Sequence, residues 1–447
     1  MVQCMESGYT NRSKKFLLTL DEKKDAFERQ YNHVYVSRLN LLKARIMDAG
    51  QKELGQKLVY KQLEDLDMHE KAFVIGSIEK RISKRPGVLK EIAEDENVLP
   101  EDYDPDEMMS LVSNKDFLEF EDEKQIVKLE GKISMDEVAT GCTAGLYGTQ
   151  VKSDVFEVEK VFWPTPCPQR PWPSNTKGGV IAFLSGLELT GDAVNDKPVT
   201  SAFEMMTRWL NGESMGEPHL PPSSSRVERL ILLGESIAIG QAHEFSSAVH
   251  YLNLSYKEAS SNVATIANLD TMLSKISDKV KVDLVPGLGD PCTQQLPQQP
   301  IHRACLPKSS APGSNLTLPT NPYQFTMHDL DFLTTSGRII SDLRRLSGVS
   351  SSCDLMKLIL RWQHLAPTCP DTVDGFPFDK RDPFIIDDEF PHVMVVGNQP
   401  SLESGWFEGE NGEKCRIISI PRFSRTQSIV LLDLNTMEVV EEQFAKA

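Results

Sequence analysis

The stretch GGVIAFLSGLELTG, residues 178–191, decides the fold of the larger part of the chain. Its apolar run from Val180 to Leu184 predicts a buried strand, and the glycine and polar residues that follow predict a sharp turn. Three later stretches share this form of an apolar run ending in a turn: RLILLGES (229–236), VDLVPGLGDP (282–291) and HVMVVGNQP (392–400). The four stretches therefore indicate strands that end in comparable turns.

Helical segments separate several of these strands. The segments AFEMMTRWLNGE (202–213) and SSNVATIANLDTMLSKISD (260–278) carry apolar residues at steps of three and four. In the second segment one face is predicted to hold Val263, Ile266, Leu269, Leu273 and Ile276. Apolar strands that alternate with amphipathic helices are typical of an α/β layered sheet. Because residues 321–337 and 416–434 have an antiparallel pattern, we expect a sandwich of sheets.

The residues before this region follow another pattern. Residues 1–25 are polar and predict a flexible N-terminal arm. Residues 26–50 predict a helix with one buried face. The apolar stripe of that helix is formed by Tyr31, Tyr35, Leu39, Leu42 and Ile46. A proline-rich junction over residues 165–177 then precedes the sandwich domain, which we place at 178–447.

Five short β-rich segments lie between the helix and the junction, over residues 51–164. They are AFVIGSIE (72–79), DFLEFEDE (116–123), QIVKLEGKI (125–133), TAGLYGTQV (143–151) and VFEVEKVFW (155–163). A helical insert, residues 86–99, follows the first of them. This pattern predicts a five-stranded barrel of the oligonucleotide/oligosaccharide-binding (OB) type. The predicted fold class is thus a two-domain α/β (α+β) protein.

Composition limits the functions that such a barrel can have. OB-type barrels bind single-stranded nucleic acid by stacking bases on aromatic side chains in a basic groove. Here Phe117 and Phe120 alternate with acidic residues, and the 447-residue chain has a net charge of −17. These charges favour a structural or protein-binding barrel over a single-strand-binding protein. The eight cysteines form no CxxC pair, and we find no signal peptide or membrane-spanning run, as expected of a soluble intracellular protein.

The four strand ends resemble those of two-metal phosphoesterases, which place metal ligands there in the patterns D-x-H, GDxxD, GNHD and GHxH. Two cations about 3.5–4 Å apart need several carboxylate, histidine or asparagine ligands. In this chain the positions are held by Gly186, Glu188, Glu235, Ala238, Leu288, Gly289, Asn398 and Pro400. Side chains of Gly, Leu, Ala and Pro supply no lone pair. We therefore expect no catalytic site, no metal and no cofactor.

Two polar residues near these positions, Asp290 and His364, are the survivors that an active enzyme could have used. One carboxylate and one imidazole do not build a binuclear site. A turn residue before Pro291 and a hydrogen-bonded core histidine are the simpler interpretations. Because Glu188 and Glu235 can ligate a metal, an active metal-dependent phosphoesterase or nuclease with rearranged ligands stays as the alternative.

Nine segments in order carry a more specific resemblance. They are LSGLEL, LILLGES, VPGLGDP, LPQQPIH, TNPYQF, FLTTSGR, RWQHLAPTCPDT, FPFDKRDPFII and PHVMVVGNQPS. Together they resemble the B-subunit family of replicative DNA polymerases, and within it the small (B) subunits of DNA polymerase delta. The resemblance covers the chain from about Phe27 onward. A B subunit of another replicative polymerase is the nearest alternative.

The resemblance implies an OB-type barrel joined to an inactive calcineurin-like phosphoesterase domain. It implies a non-catalytic scaffold in the nucleus that acts in DNA replication and repair synthesis. The implied partners are the C-terminal domain of the catalytic subunit and a further accessory subunit with a sliding-clamp-binding motif. DNA is then contacted only through the complex, and no membrane is involved.

Overall fold

The computed structural model describes residues 8–24, 28–84, 110–174, 178–213, 226–238, 256–276 and 279–444. The helical insert expected at 86–99 lies outside these residues. Seven cysteines fall within them, and all seven are free thiols. Burial raises the pKa of the Cys142 and Cys369 thiols to about 12, so both are protonated at neutral pH. The described α and β elements confirm a mixed α/β protein.

The first domain is a closed barrel of five strands. Their bounds are β2 (Lys71–Arg81), β3 (Phe117–Glu121), β4 (Ile126–Gly131), β5 (Cys142–Lys152) and β6 (Val155–Phe162). The strand order is β2-β3-β4-β6-β5, and the barrel closes between β5 and β2. Alternate residues of each strand point inward, as in LEF of β3, where Leu118 and Phe120 are buried and Glu119 lies between them. The five strands thus enclose a core of their own.

The second domain contains two six-stranded sheets. The first has the order β1-β11-β12-β13-β15-β14, with β1 (Tyr9–Asn11), β11 (Tyr323–Met327), β12 (Leu330–Thr335), β13 (Val393–Gln399), β14 (Glu403–Glu408) and β15 (Lys414–Pro421). The second has the order β10-β9-β8-β7-β16-β17, with β7 (Val180–Leu184), β8 (Val227–Leu233), β9 (Lys281–Val285), β10 (Leu316–Thr317), β16 (Ser428–Asp433) and β17 (Val439–Gln443). Strands β7 to β10 are parallel, and β16 and β17 continue the sheet antiparallel.

Helices cover the outer faces of both sheets, which gives four layers. The described helices are α1 (Leu20–Lys24), α2 (Asn32–Leu54), α3 (Lys197–Leu210), α4 (Tyr256–Leu273), α5 (Arg338–Leu346), α6 (Ser352–Trp362) and α7 (Phe423–Thr426). Helices α3 and α4 pack on the second sheet, and α5 and α6 pack on the first. Apolar side chains of both sheets meet in a third core between them. Val263 on α4, which the sequence pattern places on the same face as Leu269 and Leu273, is 66% exposed.

The N-terminal segment corrects the expectation of a flexible arm, at least over residues 8–24. Strand β1 adds to β11 as an antiparallel edge strand, with Thr10 opposite Thr326. Phe16 is fully buried in the core beside α5 and α6. The sequence suggested an arm because its apolar residues are few, but one buried aromatic ring and a strand pairing are enough to fix it.

Helix α2 begins later and ends later than the predicted helix at 26–50. It ends at Leu54, where Gly55 adopts a positive φ of 53° and its N–H bonds to Gln51 O. The buried face contains Leu39, Leu42 and Ile46 as predicted, but Tyr31 is exposed. The side chain missed by the apolar pattern is Arg38, which is fully buried.

Candidate functional site at the strand ends

The turns after β7, β8, β9 and β13 meet at one end of the two sheets. Gly186 N donates to Gly234 O at 3.1 Å, and Glu188 N donates to Glu235 O at 2.9 Å. Asn398 Nδ2, at the end of β13, donates to Leu233 O at 2.9 Å. The parallel strands bring these turns together because their carboxyl ends share one edge. Six of the eight predicted positions therefore lie in this cluster of turns, each next to at least one other: Gly186, Glu188, Glu235, Leu288, Gly289 and Asn398.

The remaining two positions lie at the periphery of this site. Ala238 N donates to Leu189 O at 3.1 Å, which continues the pairing of the turns after β7 and β8. Pro400 is exposed in the turn between β13 and β14. Neither residue has a polar side-chain atom to direct into the site.

The glycines of the site allow the turns to approach closely. A Cβ on Gly186, whose φ is +62°, would lie 2.6 Å from Asn398 Oδ1 and 2.9 Å from Arg422 Cγ. A Cβ on Gly289 would lie 2.1 Å from Ile237 O. Real Cβ atoms do not approach so closely, so neither position has room for a larger side chain in this arrangement. An aspartate ligand at Gly186 would need a rearranged site.

The Glu235 carboxylate is engaged by the backbone of the turn after β9. Its Oε1 accepts from Leu288 N at 2.9 Å and its Oε2 accepts from Gly289 N at 3.0 Å. Burial raises the pKa of Glu235, against the opposing effect of these two hydrogen bonds. Both oxygens are thus directed at amides rather than toward a shared centre.

The Asp290 carboxylate, in the turn after β9, is engaged in turn by backbone amides of the turn after β8. Its Oδ1 accepts from Ser236 N at 3.0 Å and Ile237 N at 3.3 Å, and its Oδ2 accepts from Gly287 N at 2.8 Å. Burial and the neighbouring Glu235 charge raise its pKa to about 7. The residue before Pro291 is therefore a buried link between the turns after β8 and β9, and more than a surface turn residue.

Arg422 is the functional-site residue that the sequence did not reveal. It follows β15, and its side chain lies against Gly186 with 5% exposure. Its Nε lies 3.3 Å from Glu188 Oε1, and Ser424 Oγ donates to the other oxygen of Glu188. A fixed guanidinium beside a carboxylate opposes the binding of further cations by Coulomb repulsion. No motif could have found this pair, because Glu188 and Arg422 follow strands of different sheets and lie far apart in the sequence.

His364 does not belong to this site. It is buried in another part of the second domain, where its Nε2 lies 2.8 Å from Asp382 Oδ2 and its Nδ1 accepts from Ala366 N. Burial, and then the nearby Arg38 charge, lower the pKa of His364 to about 4. The simpler interpretation, a hydrogen-bonded core histidine, agrees with this environment.

The carboxylate oxygens at the strand ends are not arranged to ligate two divalent cations. Glu235 and Asp290 direct their oxygens at amides, and Glu188 is paired with Arg422. Within the described residues, no group of three or more His, Cys, Asp or Glu side chains is placed to hold a metal ion. Two hard cations require several converging oxygen or imidazole ligands. The side chains at the strand ends therefore do not supply the ligand set of a two-metal centre.

Fold and site together define a class of protein: a closed five-stranded barrel joined to a two-sheet domain whose strand-end turns are held by protein groups. Comparison with known families narrows this class. A family described as the DNA polymerase delta subunit OB-fold domain matches residues 30–161. A second family, described as the B subunit of DNA polymerases alpha and epsilon, matches residues 181–404.

Whole-chain relatives agree with these matches. The chain is 38% identical to the probable DNA polymerase delta small subunit of Caenorhabditis elegans, over 98% of this chain and 97% of that protein. It is 31% identical to DNA polymerase delta subunit 2 of Drosophila melanogaster, over 98% and 97%. It is 29% identical to the DNA polymerase delta small subunit of Saccharomyces cerevisiae, over 98% and 93%. The chain belongs to the DNA polymerase delta small-subunit family.

Proposed function

We propose that this chain is a non-catalytic accessory subunit of DNA polymerase delta that acts as a scaffold in the nucleus. It links the C-terminal domain of the catalytic subunit to a further accessory subunit that carries a sliding-clamp-binding motif. Family membership supports the assignment to the polymerase complex. We further propose that its two-sheet domain is a calcineurin-like phosphoesterase fold that has lost its metal ligands.

The strand-end site is the observation that carries the non-catalytic assignment. Its carboxylates hold backbone amides, its glycines bring the turns into contact, and Arg422 lies beside Glu188. Each of these groups acts on another part of the same chain. The alternative of an active phosphoesterase requires the same groups to leave these partners and converge on cations.

The contacts between the two domains support a scaffold role. Arg38 on α2 is fully buried, and its guanidinium donates to Gly141 O in the barrel and to Pro367 O in the two-sheet domain, both at 2.9 Å. Lys80 Nζ, on β2 of the barrel, donates to Leu346 O at the end of α5 at 2.8 Å. Buried charges that donate to carbonyls of both domains fix their relative position. A subunit with two rigidly joined domains can hold two partners at a set distance.

The outer wall of the barrel supports contact with DNA through the complex rather than through this chain. On β3 and β4, Glu119 and Glu121 lie on the outer surface near the exposed Phe117 and Ile126. Glu119 is paired with Arg81 at 2.7 Å and Lys128 Nζ lies 5.8 Å from the centre of the Phe117 ring, so this wall has mixed charge and lacks the basic groove that binds single strands. The described helices include none that is long and apolar enough to cross a membrane.

Purification of the tagged chain at native expression levels, followed by mass spectrometry, tests the proposed partners. We expect the catalytic subunit of DNA polymerase delta and at least one further subunit in near-stoichiometric amounts. Recovery of the chain without any polymerase subunit would refute the proposal.

The full chain, purified without other subunits, tests the absence of catalysis. It is incubated with manganese and either single-stranded DNA or a chromogenic phosphodiester, and its metal content is measured by elemental analysis. We expect no turnover and no stoichiometric metal. Two bound manganese, iron or zinc ions per chain, with turnover that Glu235→Ala abolishes, would establish the phosphoesterase alternative.

A further inference from the structure

Four strands form the outer edges of the two sheets: β1 and β14 in the first, β10 and β17 in the second. An edge strand presents unpaired backbone N–H and C=O groups, to which another chain can add a strand. Proteins block such edges with very short strands, with proline, or with a charged side chain placed across the edge. The four edges of this chain differ in how far they are blocked.

Two edges carry a recognisable block, and a third has no free acidic side chain along it. Strand β1 has three residues, and β10 has two and is followed closely by Pro319. On β14 the backbone groups of Ser404, Trp406 and Glu408 face the open edge, because Gly409 N donates to Glu413 O and ladder bonds alternate along the strand, but the Glu408 carboxylate is already paired with Lys414 of β15 at 3.6 Å. A strand added to β1 or β10 would find few free backbone groups, and one added to β14 would find its charges already paired.

Strand β17 has an open backbone edge, and its acidic side chains disfavour pairing only with a strand of like charge. Its five residues pair with β16 in a continuous antiparallel register without a bulge or proline. Hydrogen bonds at both ends of β17 show which of its residues bond to β16. Phe444 N donates to Gln427 O at 2.8 Å, and Asp433 N donates to Glu438 O at 3.0 Å. Ladder bonds alternate along an antiparallel strand, so the residues that turn their backbone groups to the open edge are Val439, Glu441 and Gln443. Within the described part of the chain, no other segment bonds to these groups.

The side chains of this edge define the chemistry of the strand that would pair with it. Val440 is 46% exposed. Glu441 and Glu442 follow it, Glu438 precedes it, and β17 itself contains no basic residue. Opposite charges and apolar pairs across neighbouring strands stabilise a sheet. The edge therefore fits a strand with an apolar residue opposite Val440 and lysine or arginine near the glutamates.

We propose that β17 is a docking strand for an extended, basic and apolar segment of a partner protein, which joins the second sheet by strand addition. This inference rests on the proposed function, since it assigns one partner contact of the scaffold to a particular edge. The partner's backbone would bond to Val439, Glu441 and Gln443, and its basic side chains would face the glutamates. A second copy of this chain fits poorly, because two β17 strands would bring like charges together.

Hydrogen–deuterium exchange of the full chain, free and in the reconstituted polymerase delta complex, tests the inference. In the free chain we expect fast exchange at the amides of Val439, Glu441 and Gln443. In the complex we expect their exchange to slow by at least about tenfold, because strand addition protects outward amides. Equal exchange in both states, or protection already present in the free chain, would overturn the inference.

A pair of variants isolates the backbone contribution. Glu441→Pro removes an outward N–H and leaves the β16 ladder intact, whereas Glu441→Gln removes the same charge and keeps the N–H. We expect Glu441→Pro to weaken the affinity for one subunit of the complex about tenfold or more relative to Glu441→Gln. Equal affinities would contradict strand addition, as would light scattering that shows a dimer of the chain lost in Glu441→Pro. If the subunits co-purify normally while β17 stays unprotected, the inference fails and the proposed function stands; without co-purification both fail.

Discussion

Two carboxylates hold the strand-end turns in place by a reciprocal arrangement. Glu235, in the turn after β8, accepts from the turn after β9, and Asp290, in the turn after β9, accepts from the turn after β8. In a two-metal enzyme such turns are held by cations that they share. Here hydrogen bonds to backbone amides supply that connection, and Arg422 adds a positive charge beside Glu188.

The titration of Asp290 leads to a testable pH dependence. Its pKa is about 7 in the folded protein, against the ordinary aspartate value of 3.8 expected in the unfolded chain, so the folded state binds the proton more tightly. The free energy of unfolding contributed by this group is therefore highest at low pH and falls as pH rises from about 4 to about 7. Asp290→Asn removes the titrating group, and we expect a flatter stability profile in that window.

Urea unfolding of the wild type and Asp290→Asn at several pH values measures the free energy of unfolding of each protein as a function of pH. Asp290→Asn also leaves Gly287 N–H facing an amide NH₂, which cannot accept it, at a cost of about 1–3 kcal/mol. That cost is the same at every pH. The wild-type protein has the stabilising contribution of protonated Asp290 at pH 5 and has lost it at pH 8, so the destabilisation by Asp290→Asn should be greater at pH 5 than at pH 8. A difference between the two proteins that does not change with pH would show that Asp290 does not titrate in this range.

The sequence predicted which turns form the strand-end site, but it did not predict the side-chain contacts within the site. Gly186 and Gly289 could be recognised because they follow apolar strand runs, and the parallel strands then bring them together. Arg422 could not be recognised, because it reaches Glu188 from a strand of the other sheet. The reciprocal bonds of Glu235 and Asp290 depend on backbone amides, which carry no sequence signal.

At the scale of elements, the five barrel strands and the parallel strands β7 to β9 lie where alternation and apolar runs predicted them. The N-terminal segment was mispredicted because β1 is stabilised by pairing with β11, more than 300 residues away. Local composition contains no information about such a partner. The buried position of Arg38 on α2 was missed for a related reason, since its partners Gly141, Pro367 and Asp382 lie far away in the sequence.

The fixed N-terminal segment can be tested at Phe16. Its ring is fully buried beside α5 and α6, so Phe16→Ala should destabilise the chain by about 3–5 kcal/mol. Leu20→Ala is the matched control, because Leu20 is 78% exposed and its truncation should change stability by less than about 0.5 kcal/mol. Thermal unfolding of both variants measures the effect, and equal melting temperatures would show that the segment is detached in solution.

The second sheet can be tested in the same paired manner on β8. Leu232 is 1% exposed between β7 and β9, so Leu232→Asp buries an unpaired carboxylate at a cost of several kcal/mol. Against a total stability of about 5–15 kcal/mol, this change should prevent assembly of the polymerase complex. Val194→Asp, at a position that is 78% exposed, should assemble normally. Co-purification of the complex with Leu232→Asp at wild-type yield would contradict the buried position of this strand.

At the scale of the whole molecule, a buried ion pair between Arg38 and Asp382 joins the barrel to the two-sheet domain. Arg38 donates to Asp382 Oδ2 at 2.8 Å and to backbone carbonyls of both domains. Burial alone would raise the pKa of Asp382, but His364 and Arg38, which bond to its carboxylate, outweigh burial and lower that pKa below its usual range. Because His364 is uncharged at neutral pH, Arg38 is the cation that balances Asp382. Barrel, helix and two-sheet domain thus share one buried ion pair.

Arg38→Leu tests whether this ion pair makes the two domains one cooperative unit. The change leaves Asp382 buried without its cation and removes a bond to the barrel, so we expect a loss of about 3–5 kcal/mol. We also expect separate unfolding transitions for the barrel and the two-sheet domain in calorimetry, and faster proteolysis between them. Arg208→Leu is the control, since its ion pair with Glu204 on α3 is exposed and contributes less than about 0.5 kcal/mol. A single transition at the wild-type temperature in Arg38→Leu would show that the domains are coupled through other contacts, such as Lys80 with Leu346.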